Sequence, residues 1–163
     1  MIFSATKYVG DTSEDWRTNI RNMVEKDGRG VIFSHNAVGR ERLTNLGKPV
    51  FPEICAGFES RVADHRELIV EDDAVFRGFL KKGDKYREAY IDHMALLPGK
   101  SARVLLRDDT GKVVAVAGKV GKGYVIYTGE IFGVTGKKEL LGEPALENWK
   151  MLYHLIRYAS GQK

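Results

Sequence analysis

The order of apolar and polar positions divides the chain into alternating strands and helices at its start, hairpins through its middle and one long helix at its end. Trp16, Ile20, Met23 and Val24 recur at helical spacing, and Thr12 followed three residues later by Asp15 forms a capping-box pattern that starts a helix. Asp27-Gly28 supplies the stop. The next run, residues 30–34, holds Val31-Ile32-Phe33 without alternation, as expected of a strand covered on both faces in a parallel sheet. Residues 12–35 therefore read as the second half of a strand–helix–strand unit whose first strand is residues 2–5. A short helix carrying Leu43 and Leu46 is expected beyond Gly39, followed by a loop imposed by Gly47, Pro49 and Pro52.

Further strands are expected over residues 62–70 and 88–97, separated by a short helix or turn at 72–79 and a polar turn at 81–85. Residues 101–106 and 112–120, joined by Asp108-Asp109-Thr110-Gly111, form the clearest hairpin pattern. Gly121-Lys122-Gly123 then turns the chain into a strand at 124–128. Pro144 fits the first turn of a terminal helix in which Leu146, Trp149, Leu152, Tyr153 and Ile156 line one face, the face expected to pack in the core. Early alternation followed by hairpins describes an α/β sheet flanked by helices, with an antiparallel hairpin extension.

Composition narrows this picture. With 163 residues, 43% hydrophobic and 29% charged, the chain suits a single domain spanning 1–163 with one substantial core. The 26 Lys and Arg against 22 Asp and Glu are scattered rather than gathered into a basic stripe, so no nucleic-acid partner is expected. No apolar run approaches the ~20 residues of a membrane-spanning helix, and no targeting pattern opens the chain, so a cytoplasmic protein without a membrane partner is expected. The single cysteine, Cys55, excludes an internal disulfide and agrees with a reducing compartment.

Three stretches, in order, resemble the trehalose-utilisation (ThuA-like) family of the class I glutamine amidotransferase-like superfamily. Val24-Glu25-Lys26-Asp27-Gly28-Arg29-Gly30-Val31-Ile32-Phe33-Ser34-His35-Asn36-Ala37 is similar to its glycine-rich turn, apolar strand and histidine. Phe51-Pro52-Glu53-Ile54-Cys55-Ala56-Gly57-Phe58 resembles a segment with an aromatic residue, a short helical turn and a glycine pair. Gly121-Lys122-Gly123-Tyr124-Val125-Ile126-Tyr127-Thr128-Gly129 resembles its glycine-lysine-glycine strand. The resemblance implies a flavodoxin-like sheet that lacks the family's usual first strand, helix and strand. It further implies that the open sheet edge is covered by a homo-oligomeric contact or by a missing amino-terminal segment.

The superfamily's catalytic cysteine has no counterpart at the end of the strand, where Ser34-His35-Asn36 stand instead, so glutamine amidotransferase activity is not expected. His35 matches the family's histidine and lies where open α/β sheets gather ligands, which makes it the candidate acid–base residue. Ser34, Asn36, Gly39, Asp92, His93 and Glu130 are the candidate ligand-binding residues, for a carbohydrate or related polar metabolite. Ser34 would serve as a nucleophile only with a base beside it, and strand alternation sends Asp92 and His93 to opposite faces. His35, His93 and Glu130 could supply three metal ligands, but their spacing does not demand it, and neither metal nor cofactor is expected. The competing expectation is a non-catalytic structural or oligomerisation module.

Overall fold

The computed structural model describes residues 1–4, 14–38, 49–63, 66–88, 90, 92–132 and 143–162. The expected cap at Thr12, the helix through Leu43 and Leu46, and Gly39 lie outside the described residues.

The opening unit forms as the pattern dictates. Strand β1 (Ile2–Ser4) leads to helix α1 (Glu14–Glu25) and to β2 (Val31–Ser34), with β1 and β2 parallel and in register from Ile2–Ile32 to Ser4–Ser34. Helix α1 buries Ile20 and Val24 and lays Trp16 and Met23 against the same core. After β2, a single 3₁₀ turn (His35–Val38) leads the chain away.

The middle of the chain departs from the expected boundaries. A single strand at 62–70 is replaced by two, β3 (Cys55–Ala63) and β4 (Glu67–Val70), which belong to different sheets. The strand expected at 88–97 forms only from Asp92, as β6 (Asp92–Pro98), and an additional strand, β5 (Lys85–Arg87), follows the polar turn. The turn between β4 and β5 holds a short 3₁₀ helix (Asp73–Val75) capped by the Asp72 carboxylate, which accepts from the Ala74 N–H at 3.0 Å. The hairpins follow as read: β7 (Arg103–Asp108), β8 (Val113–Val120) and β9 (Gly123–Thr128). Gly121 turns β8 into β9 with φ +56°, and a β-carbon there would sit 2.5 Å from the Glu25 carbonyl oxygen, so the turn tucks against the end of α1 only as glycine.

Among the described residues, seven strands form the main sheet in the order β1-β2-β9-β8-β7-β4-β5. The first three are parallel, and every later pair is antiparallel. Strands β3 and β6 form a separate antiparallel ribbon, irregular at two points along β3. Side-chain alternation sorts the two cores. Val31, Phe33, Val125 and Tyr127 face α1 and the ribbon, whereas Ile32 and Ile126 face the terminal helix α2 (Glu143–Ala159). Phe33 and Tyr127, paired in register, stack at 4.7 Å between ring centres, and the Tyr127 hydroxyl accepts from the Phe51 N–H at 3.0 Å.

One expectation is reversed. The face of α2 that enters the core carries Asn148, Met151, Leu155 and Ala159, with Leu152 only partly buried. Leu146, Trp149, Tyr153 and Ile156 stand 57%, 55%, 56% and 40% exposed. The helix is apolar on two sides, and periodicity alone selected the wrong one. No described helix is long and apolar enough to cross a membrane.

Candidate functional site

Because β2 and β9 are parallel, their carboxyl ends open on the same side of the sheet, and β6 begins there. Gly129, just past β9, makes the junction possible. Its carbonyl accepts from the Met94 N–H at 3.1 Å, and a β-carbon on Gly129 would lie 1.9 Å from the Met94 carbonyl oxygen. The ribbon can therefore rest directly on the end of β9. Across the same gap the Ser34 hydroxyl donates to the Glu130 carbonyl at 2.5 Å. Ser34 thus ties β2 to β9, and its proton is committed to a backbone oxygen.

His35 turns the chain out of β2 with φ +50°, a left-handed conformation uncommon outside glycine. Such strain is found where surrounding structure enforces it, often at functional positions. The His35 Nε2 lies 3.2 Å from the Asp92 Oδ1, and the Asp92 carboxylate, fully buried, accepts a second bond from the Arg61 Nε. A carboxylate at one imidazole nitrogen fixes the ring's orientation. Tyr90 meets the His35 ring edge-on at 6.0 Å. His35 itself is 4% exposed, whereas the Arg61 side chain is 47% exposed and Tyr90 is half-buried, so these two border the His35–Asp92 pair toward solvent, while the neighbouring Asn36 is half-buried with its Oδ1 enclosed.

His93 points the other way. Its Nδ1 is 3.0 Å from the Glu88 Oε2 and its Nε2 is 3.1 Å from the Asp108 Oδ2, with all three side chains buried. Burial opposes the charge on His93, but the hydrogen bonds and charges of Glu88 and Asp108 outweigh it and raise the imidazole pKa. Burial likewise opposes the charge on Asp108, yet bonds from Thr110, from the Lys112 and Thr110 backbone and from His93 hold its carboxyl below the usual range. Glu130, at 1% exposure, is the opposite case: burial pushes its pKa up to about 8, against smaller lowering effects from Tyr86 and His93. Among the described residues, neither Glu130 carboxyl oxygen closes a hydrogen bond of normal geometry, although the Tyr86 hydroxyl lies beside it.

The sequence-selected residues therefore divide into two groups. His35 and Asp92 meet directly and Ser34 braces their strand, while His93 and Glu130 belong to a second, fully enclosed cluster with Glu88, Asp108 and Tyr86. Asp92 and His93 diverge as alternation requires. No three His, Cys, Asp or Glu side chains among the described residues converge as a metal-holding group. Arg61, Tyr90, Glu88 and Asp108 were not selected from the sequence. Tyr90 stands two positions from Asp92 and was within reach of local reading, whereas Arg61 and Asp108 arrive from other strands. Cys55, expected in a loop, opens β3. Its thiol donates to the Gly57 carbonyl at 3.2 Å, and burial pushes its pKa up to about 12, which disqualifies it as a thiolate nucleophile at neutral pH.

With this geometry in hand, comparison with solved structures finds several similar chains. A cytoplasmic protein from Salmonella typhimurium LT2 superposes with a TM-score of 0.62 at 18% identity, over 87% of this chain and 60% of its own. A protein from Parabacteroides merdae named as ThuA-like gives 0.62 at 16% identity, over 92% of this chain and 66% of its own. A β-galactosidase from Bacillus circulans gives 0.60 at 14% identity, over 90% of this chain but 21% of its own. The likeness is one of fold. This chain spans about three fifths of the Salmonella protein's length. No family model matches the sequence, and no curated protein matches it.

Proposed function

We propose that the chain is a single ThuA-like, amidotransferase-like domain that binds a carbohydrate or related polar metabolite at the carboxyl ends of β2 and β9. It lacks glutamine amidotransferase activity. The observation that carries this reading is the His35–Asp92 pair: an imidazole in strained backbone, oriented by a buried carboxylate and bordered by half-buried Tyr90 and by Arg61, with Asn36 next to it in the chain. Tyrosine rings, amides and guanidinium groups are the side chains that recognise sugar rings and hydroxyls. Should the bound molecule be turned over, His35 is the group that moves the proton, with Asp92 as its positioning residue. The β-galactosidase and ThuA-like names among the structural neighbours lend this reading support in kind of ligand only.

A second reading, a non-catalytic module that contributes surfaces, is favoured by a specific observation as well: the apolar outer face of α2. A thermal-shift and NMR titration against a panel of mono- and disaccharides separates the two. Saturable binding that disappears in His35→Ala and weakens in Asp92→Asn supports the ligand site. Sugars that leave the wild-type spectrum unchanged, or that bind both variants equally well, refute it.

A further inference from the structure

Strands β7 and β9 both run antiparallel to β8, so Arg103 at the start of one and Tyr124 near the start of the other lie at the sheet end opposite His35. There the carboxyl end of α2 and the turn after β4 leave a cleft of ≈ 200 Å³, whose lining includes Arg77, Arg103, Tyr124, Arg157, Tyr158 and Gly161. Three guanidinium groups from three separate parts of the chain thus converge, and no described Asp or Glu lines the cleft. One carboxylate is bonded to this set. Asp72 accepts from the Arg103 Nε at 2.8 Å and from one of its terminal nitrogens, while its other oxygen accepts from the Ala74 N–H, so Asp72 both balances and aims Arg103. Arg77 and Arg157 have no such counter-charge. Among the described residues neither makes an ion pair, and the Arg157 Nε is enclosed without an acceptor. A buried donor left unpaired is uncommon and costly, the more so on a charged group.

The surroundings keep the cleft positive and shaped. Arg77 is held at φ +43° between fully buried Phe76 and Gly78 at φ +84°, a left-handed conformation that costs an arginine energy. The carbonyls that end α2, which would repel an anion, are taken up by the chain itself: the Ser160, Gly161 and Gln162 N–H groups donate to the Ile156, Tyr158 and Arg157 carbonyls at 2.9, 3.0 and 3.2 Å, and the Ser160 hydroxyl donates to the Arg157 carbonyl at 2.8 Å. The Tyr124 and Tyr158 rings meet at 5.1 Å and 62°, which adds an aromatic wall.

We propose that this cleft binds a small phosphomonoester, its dianionic phosphate held by Arg77, Arg103 and Arg157 and its organic part laid against Tyr124 and Tyr158. Three guanidinium charges less the one on Asp72 leave two, which a phosphate dianion matches and a carboxylate only halves. Guanidinium forks also fit phosphate oxygens in pairs. A cleft smaller than the usual ligand pocket of about 300–1,000 Å³ calls for a small molecule. A nucleic-acid strand would need a basic groove that continues along its backbone. The cleft lies across the sheet from His35, so it stands whether or not the sugar reading holds.

NMR titration of the full chain at constant ionic strength, with inorganic phosphate and with phenyl phosphate, tests the proposal. Inorganic phosphate should shift arginine Nε–H signals and the Gly161 amide saturably, with a Kd of order 1 mM, and phenyl phosphate should bind more tightly. Benzoate, which carries a ring but one charge, should bind about tenfold more weakly than phenyl phosphate. Arg77→Gly, which suits the left-handed backbone, and Arg157→Gln, which keeps much of the aliphatic stem, should each weaken phenyl phosphate about tenfold or more while the far-ultraviolet spectrum is kept. His35→Ala should leave phosphate binding unchanged, and its loss there would refute a separate site. Phosphate that does not saturate at about ten times the expected Kd overturns the proposal. So does benzoate that binds as well as phenyl phosphate, a short oligonucleotide that binds better than either, or phosphate binding indifferent to both arginine variants.

Discussion

Glu130 and His93 show how much a single buried side chain can weigh. Burial raises the Glu130 pKa from 4.5 to about 8, so between those values the folded chain holds a proton that the unfolded chain has released. Stability must then fall as pH rises through that window, by on the order of 1 kcal/mol per pH unit, and level off above it. His93 acts in the same direction: its raised pKa gives stability that is full below the unfolded value of 6.5 and is lost as pH rises through the folded one. Asp108, with a lowered pKa, opposes only in acid, where its stabilisation is lost as pH falls through its folded value. Denaturant unfolding at pH 5.5 and pH 8.5 should therefore find the protein more stable at the lower pH, and Glu130→Gln should flatten much of that slope. An unchanged slope in the variant would place the effect elsewhere. That Glu130 is a candidate was legible from its position after the glycine-lysine-glycine strand. That it is walled in with His93, Glu88 and Tyr86, and not with His35, was not, because those side chains come from three separate strands or their flanks.

At the level of elements, strands bounded by glycine turns were the easiest to read, and the terminal helix was the most deceptive. The β7–β8–β9 meander follows its turn residues closely. The strand expected at 62–70 did not separate into the end of β3 and β4 in advance, because the hydrophobic pattern there lacks clean alternation and the bulges in β3 shift its register against β6. Helix α2 carries two apolar faces, and a 3.6-residue period cannot say which of them meets the sheet. Met151→Ala tests the assignment: removing a fully buried side chain should cost about 2–5 kcal/mol of folding stability, measured by chemical denaturation in a Trp149→Glu background that keeps the outer face from associating. In the same background Leu146→Ala, at 57% exposure, should change stability by under about 1 kcal/mol. Equal costs at the two positions would mean that the helix packs by the other face.

For the whole molecule, the reading as a module that contributes surfaces carries its own prediction, a coupling of folding to association. A second copy that covered the exposed α2 residues would make apparent stability depend on protein concentration. The thermal midpoint of the wild-type chain should rise over a hundredfold increase in concentration, whereas that of Trp149→Glu should not move. A wild-type midpoint independent of concentration would count against a folded dimer. By itself, the sequence determined the α/β class, the parallel pairing of β1 with β2, the antiparallel meander and the prominence of His35 at the end of β2, because local spacing and turn chemistry act over a few residues. Only the tertiary structure decided that Asp92 serves His35 while His93 serves Glu88 and Asp108, that Gly129 lets the ribbon close on β9, and which face of α2 is left uncovered. Those outcomes depend on which distant strands become neighbours, and adjacency across a sheet is set by the packing of the whole chain.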